Sequence, residues 1–284
     1  MSGPRIKIII IATLALINAF FIALIVADAV GEARTERETL ANVSAIMRAG
    51  GVEIDPGVIR AAAPARTAGG IRAMRTARVL EVEENIARAF LGPASMTDQG
   101  VIYLYESAGR GAAEFASAGD FQIRMDRGAI TDEGGFARTV AGLLKEMKVE
   151  TSEPVVSQGA IGGAATVTVV CAYRSVNIFN CAIEFVFGEG SLQVVNGRYV
   201  AGIEPTEGGK GISQVGTALL IFLAEVMDAG REDVACARIF GVEAGYRHSV
   251  SGSFGEGVIT PAWLITTDNG RYLIDDTTGE VWGF

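Results

Sequence analysis

The sequence predicts an α+β fold carried behind an N-terminal transmembrane helix. Three observations predict it. An uncharged apolar run opens the chain, helical patterns then alternate with groups of short strands, and the strands follow one another through turns in the manner of antiparallel meanders rather than a doubly wound parallel sheet. Hydrophobic residues make up 49% of the 284 residues, so the chain can bury a core and is not broadly disordered. The 36 glycines suit many tight turns between short strands.

The apolar run reads from Ile8 to Ala27 and contains no charged residue. A helix of that length rises about 30 Å, the thickness of a bilayer core. Arg5 and Lys7 precede it, and Asp28, Glu32, Glu36 and Glu38 follow, mixed with Arg34 and Arg37. The positive-inside rule keeps the first residues in the cytoplasm and exports the remainder. Ala27-Asp28-Ala29 has the form of a signal-peptidase site. The run is nonetheless longer than the apolar part of a signal peptide, about 7–15 residues. A helical pattern through Glu38, Leu40, Val43, Ile46 and Met47 also continues past the cut until Gly50-Gly51. The expectation is a retained single-pass anchor in the cell membrane with an extracytoplasmic C-terminal domain. At 100° per residue, Ala12, Ala15, Ala19, Ala23 and Ala27 share one side of the anchor, flanked by Asn18. Small residues let helix backbones approach, and an amide bonds across the contact, so this face is the expected partner-binding surface in the membrane.

Four segments are expected: 1–30, cytoplasmic N-terminus and transmembrane helix; 31–50, a juxtamembrane helix; 51–150 and 151–284, two extracytoplasmic α+β subdomains divided at the loop 150–165. Arg60, Arg66, Arg72, Arg75 and Arg78 form the basic stretch of an otherwise acidic protein. It is a candidate surface for an acidic partner, anionic head groups or a polyanionic wall polymer, although arginines also guard solvated edge strands. Three units of a helix followed by strands come next. The helices are expected over 83–91, 136–148 and 213–228, the last capped by Ser213. The strands are expected over 101–106, 113–117 and 121–125, then 166–174, 181–187 and 192–200, then 234–240, 262–267 and 271–274. Asp268-Asn269-Gly270 is a hairpin signal between the final two. One helix per sheet would cover one face and leave the other for a neighbour.

The chemistry of the side chains points away from catalysis. A net charge of −9 and a pI near 4.8 repel phosphate backbones, so nucleic acid is not an expected partner. The single histidine, His248, has no G-x-S-x-G elbow to serve, and its Gly- and Ser-rich surroundings read as a flexible exposed loop. Gly208-Gly209-Lys210-Gly211 lacks phosphate-loop spacing and reads as a turn. Asp275, Asp276 and Glu280 cluster without the order of a calcium loop and read as a β-turn. Cys171, Cys181 and Cys236 are not spaced for zinc, and the first two read as buried thiols on opposite strands of a hairpin, with a bridge between them as the alternative. No catalytic residue, cofactor site or metal site is expected.

Several short motifs resemble a known family. Arg5-Ile6-Lys7 with Leu16-Ile17-Asn18-Ala19-Phe20 resembles the anchor of the YycI/YycH proteins, accessory regulators of a bacterial two-component system. Ala45-Ile46-Met47 followed by Gly51-Val52-Glu53-Ile54-Asp55 resembles the helix and extended step that follow it in YycI. Pro261-Ala262-Trp263-Leu264-Ile265 with Gly270-Arg271-Tyr272-Leu273-Ile274-Asp275 and Thr278-Gly279-Glu280 resembles the closing hairpin, a style shared with PepSY-type domains. The resemblance implies a non-enzymatic regulator of a WalK/YycG-type sensor histidine kinase in cell-wall homeostasis, acting through its transmembrane helix and exported domain. It also implies pairing with a YycH-like paralogue; a homodimer is the other expected pairing. The alternative is a PepSY-like exported inhibitor or chaperone of a peptidase.

Overall fold

Alternation of apolar and polar side chains builds most of this molecule. In Ala-Thr-Val-Thr-Val-Val-Cys-Ala-Tyr, residues 165, 167, 169 and 171 are buried while those between are partly exposed. That period of two makes a strand with one face in a core. The computed structural model describes residues 40–54, 57–58, 70–132, 134–158, 164–206, 208–209, 211–228, 235–250 and 255–283. The predicted membrane helix, with Ala12, Ala15, Asn18, Ala19, Ala23 and Ala27, lies outside the described residues, as do Arg60 and Arg66. Among the described residues no helix is long and apolar enough to cross a membrane.

The chain forms an α+β fold. Helix α1 covers 40–49 and is followed by β1 (Glu53–Ile54) and β2 (Met74–Thr76). Helix α2 (Leu80–Leu91) leads into β3 (Ser95–Asp98), β4 (Ile102–Ser107), β5 (Gly111–Ala116) and β6 (Asp120–Met125). Helix α3 (Phe136–Met147) precedes β7 (Val155–Gln158), β8 (Ala165–Tyr173), β9 (Val176–Gly188), β10 (Ser191–Arg198) and β11 (Glu204–Pro205). Helix α4 (Val215–Met227) precedes β12 (Arg238–Val250), β13 (Gly257–Thr267), β14 (Arg271–Asp275) and β15 (Val281–Gly283).

Eight strands make one antiparallel sheet in the order β3-β4-β5-β6-β10-β9-β8-β7. Helices α2 and α3 pack together on one face of it. Their buried positions recur at helical spacing: Glu83, Ile86, Ala87 and Phe90 in α2, and Val140, Leu143, Leu144 and Met147 in α3. Phe90 meets Phe185 of the sheet, and Phe115 stacks on Phe121. This core draws Phe115 and Ile123 from before position 150 and Val167 and Phe185 from after it, and β6 pairs with β10 across that position.

The second group of strands centres on β12 and β13, antiparallel along their length. The other edge of β13 is shared by β2 and β14, and β15 extends β14. Helices α1 and α4 cover one face of this group, burying Val43 and Met47 with Leu219, Phe222 and Leu223 against Ile239, Trp263, Ile265 and Ile274. The two groups join where β9 meets β12 through the parallel bridge Tyr246↔Ile178. Asp268-Asn269-Gly270 turns β13 into β14, with the Thr267 amide donating to the Gly270 carbonyl.

Two local expectations are corrected. His248 is not in an exposed loop: β12 runs on to Val250, and His248 is buried between Thr76 and the first core. Its side chain alternates in step with Tyr246, so the strand period prevails over the Ser- and Gly-rich composition around it. Ser213 does not cap α4. The residue before α4 is Gln214, which makes no side-chain cap bond, and the Ser213 hydroxyl bonds the Asp276 carboxylate instead.

Candidate functional site

The face of the eight-stranded sheet turned away from α2 and α3 carries many polar side chains, with Leu104, Ala116 and Ala182 set among them. The register brings them into a row. Thr97 lies opposite Leu104, Leu104 opposite Glu114, and Glu114 opposite Gln122. Gln122 lies opposite Asn196, Asn196 opposite Glu184, and Glu184 opposite Thr168. Each step is one strand, so Glu114 and Glu184, three strands apart, stand about 14 Å from one another. An open groove of 740 Å³ runs over this face, lined by Glu114, Asp120, Gln122, Arg124, Asn180, Glu184, Asn196 and Arg198.

Within the groove the polar groups are of two kinds. Some are already paired. Gln122 Nε2 donates to Asn196 Oδ1 at 2.8 Å. Arg198 donates from Nε and from its terminal nitrogen to the two oxygens of Asp120, at 2.7 and 2.9 Å. This fork holds the Arg198 guanidinium charged, with its pKa raised by the hydrogen bond to Asp120 over the opposing effect of burial. Asn180 clamps the two strand groups together. Its Nδ2 donates to the His248 carbonyl at 2.7 Å, and its Oδ1 accepts from the His248 amide at 2.8 Å. The other kind is unengaged. Glu114 and Glu184, both exposed, and Arg124 have no hydrogen bond or ion pair among the described residues. These are the groups the groove can offer to an incoming molecule.

Of the basic stretch, Arg72, Arg75 and Arg78 lie among the described residues. Arg72 is exposed and bridges to Gly211, and Arg75 is exposed on β2 opposite Glu204. Arg78 turns inward. It bonds Glu83 at 2.6 and 3.1 Å and donates to the Phe115 carbonyl at 3.2 Å. Its guanidinium also lies 4.2 Å from the centre of the Tyr103 ring. The spacing of five arginines along the sequence carried no information about this inward turn, which depends on the buried carboxylate of Glu83.

The remaining sites of chemical interest are structural. Asp275 is buried and accepts from the amides of Thr277 and Thr278 and from the Thr260 hydroxyl. That closes the turn the sequence predicts there. Among the described residues no group of three or more His, Cys, Asp or Glu side chains converges as a metal site would require. A second cleft of 520 Å³ lies between α1, β1 and the start of β12, beside Arg48, Val58 and the exposed ring of Phe240. The Arg238–Glu53 ion pair, 2.8 Å long, sits in it.

The polar row was detectable in the sequence as alternation: Asp120, Gln122 and Arg124 in β6, Asn180 and Glu184 in β9, Asn196 and Arg198 in β10. Which strands lie side by side was not, because β6 and β10 are separated by a helix and three strands.

No family model matches the chain, and no curated protein matches it. Two chains of solved structures match. One is an uncharacterized protein from Eubacterium rectale ATCC 33656, with a TM-score of 0.47 and 9% identity, over 82% of this chain and 90% of that one.

Proposed function

We propose that this chain is a membrane-anchored regulator that works by contact, using the open sheet face as its recognition surface. One observation carries the reading. Helices cover one face of the eight-stranded sheet, and the other presents a solvated row of polar side chains with Glu114, Glu184 and Arg124 unengaged. A face of that kind gives orientation and specificity through hydrogen bonds and charge to a macromolecular partner.

The resemblance of the chain's motifs to YycI/YycH names the first partner to test, a WalK/YycG-type sensor histidine kinase, with a YycH-like paralogue or a second copy beside it. On this reading the exported part belongs with the helix-plus-antiparallel-sheet units of that family, closed by a PepSY-like hairpin. The alanine face of the anchor, from Ala12 to Ala27, packs on a kinase helix while the sheet face meets the kinase's exported part. Regulation is then a shift between two kinase states that differ in these contacts.

The test is co-purification from membranes. Glu114→Lys with Glu184→Lys reverses charge on the open face without touching the core. Ala15→Leu, Ala19→Leu and Ala23→Leu together block close approach in the membrane. Each set is expected to lower recovery of the kinase, and full recovery with both sets would overturn the reading. The peptidase-inhibitor alternative predicts the opposite dependence, with the anchor set harmless and peptidase inhibition lost on the sheet-face set alone.

A further inference from the structure

Helices α1 and α4 differ in kind from α2 and α3. The outer faces of α2 and α3 carry ordinary surface charge: α2 has Glu81, Glu84 and Arg88, and α3 has Arg138, Lys145 and Glu146. Over its described residues, 40–49, helix α1 has one ionisable side chain, Arg48, and α4 has one, Glu225. Helix α4 is apolar nearly all round, a composition found in helices covered on every side. Yet Leu220 is 40% exposed and Met227 is 65% exposed, with exposed Ala224 between them on the same stripe. Beside them, α1 exposes Ala45, Ala49 and Ile46, the last to 48%. The two helices are in contact, since a Cβ on Gly50 at the end of α1 would stand 2.8 Å from a methyl group of Leu223. The described parts of the two helices therefore present neighbouring, nearly uncharged outer faces.

The position of this surface in the chain indicates its occupant. The apolar run ends at Ala27, and the described part of α1 opens at residue 40. The residues between span at most about 40 Å even when fully extended. An anchored chain thus keeps α1, and α4 packed on it, close to the bilayer, while α2 and α3 lie on the other strand group. We propose that α1 and α4 are the membrane-facing side of the exported domain, with Leu220, Ala224, Met227 and Ile46 seated in the head-group and upper acyl region of a phospholipid bilayer. The inference rests on the anchored reading given above. It adds that the domain is oriented and not merely tethered, which turns the open sheet face to a fixed angle relative to the membrane. A surface of this polarity matches what interfacial helices bury, a shallow apolar face with polar residues left at its borders.

The full chain in phosphatidylcholine vesicles tests this, with single environment-sensitive fluorophores on introduced cysteines in a Cys236→Ser background. Labels are placed at Met227→Cys, at Val155→Cys on the far sheet edge, and at Phe20→Cys in the apolar run. Lipids spin-labelled near the head group should quench position 227 about threefold or more, and leave position 155 unquenched. Leu220→Glu, on the same stripe, should abolish quenching at 227 while position 20 stays quenched by deep spin labels. If position 20 is quenched and 227 behaves like 155, the seat is refuted and the anchor stands. If position 20 is not quenched, the anchored reading fails and this inference fails with it. If the label at 227 is instead shielded by a second copy, seen as efficient crosslinking of 227 to 227, the surface is a dimer contact and the membrane seat is overturned.

Discussion

Tyr199, just after β10, donates its hydroxyl to the carboxylate of Glu83 in α2, a residue with no exposed surface at all. Arg78 reaches the same carboxylate from the other side with two nitrogens. The three groups tie α2 to the end of the sheet and to the segment after β2. Burial, the bond to Glu83 and the nearby carboxylate charge all push the Tyr199 hydroxyl well above its ordinary range, so it remains a donor.

Removing one member should expose the cost of the others. Glu83→Leu leaves the Arg78 charge without its carboxylate and is expected to destabilise the protein by about 3–5 kcal/mol. Tyr199→Phe loses only a hydrogen bond to a charged group and should cost about 1–3 kcal/mol. Arg78→Leu combined with Glu83→Leu should cost clearly less than the two single changes added together. Urea unfolding followed by the fluorescence of buried Trp263 would show this non-additivity, and simple additivity would mean the pair is not coupled.

Two glycines should respond to the same substitution with opposite signs. Gly111 opens β5 at φ +132°, and a Cβ there would stand 2.1 Å from the Arg124 carbonyl oxygen. Gly111→Ala is expected to cost about 2–4 kcal/mol, since neither backbone nor neighbour can yield cheaply. Gly142 sits exposed inside α3 with nothing within 4 Å of an added Cβ. Gly142→Ala should therefore stabilise the protein by about 0.5–1 kcal/mol through helix propensity. Midpoints of thermal unfolding that move the same way in both variants would contradict the two environments.

The fold was legible where a pattern is local. The period of α3, the alternation in β8 and the Asp268-Asn269-Gly270 turn are each written within a dozen residues, and the structure has them. What escaped was set at a distance. Short β3 and β15 carry too few residues to show a period, and each exists because a longer neighbour offers an edge. His248 lies in a strand because β13 pairs with β12 as far as Val250, a fact of pairing that its serine neighbours obscure. The open polar row likewise emerges only when β6 and β10 are set side by side.

The three cysteines should differ in reactivity by position. Cys171 and Cys181 are buried free thiols on β8 and β9. Burial pushes the Cys171 thiol up to about 12, and it raises Cys181 well above the ordinary thiol value. Neither forms thiolate near neutral pH, so neither should be alkylated in the native state. Cys236 is half-buried, and burial together with the Asp268 carboxylate raises it to about 11, so it should react slowly. Mass spectrometry after mild maleimide treatment at pH 7.5 is expected to find modification at Cys236 alone, with the other two appearing once urea unfolds the chain. Native labelling of Cys171 would show that β8 opens far more readily than its burial implies.

His248 gives the protein a defined weakness to acid. Its Nε2 lies 3.2 Å from the Thr76 hydroxyl, while its Nδ1 is buried without a partner among the described residues. Burial is the main cause that lowers its pKa from 6.5 to about 4; Arg198 and Arg247 add to this, and Asp120 opposes it. The folded state thus resists the proton that the unfolded chain accepts. The stabilising contribution is complete above pH 6.5 and is lost as pH falls from there toward about 4, where both states are protonated. The loss should reach about 3 kcal/mol across that window. Carboxylates titrate in part of the same range, so the measurement is a difference: unfolding free energies at pH 7 and pH 4.5 for the natural chain and for His248→Gln. The variant is expected to start less stable at pH 7 and to lose less on acidification. Equal losses in the two proteins would mean that the imidazole takes up its proton as easily inside the fold as outside it, and that Thr76 and the walls around Nδ1 yield to admit water.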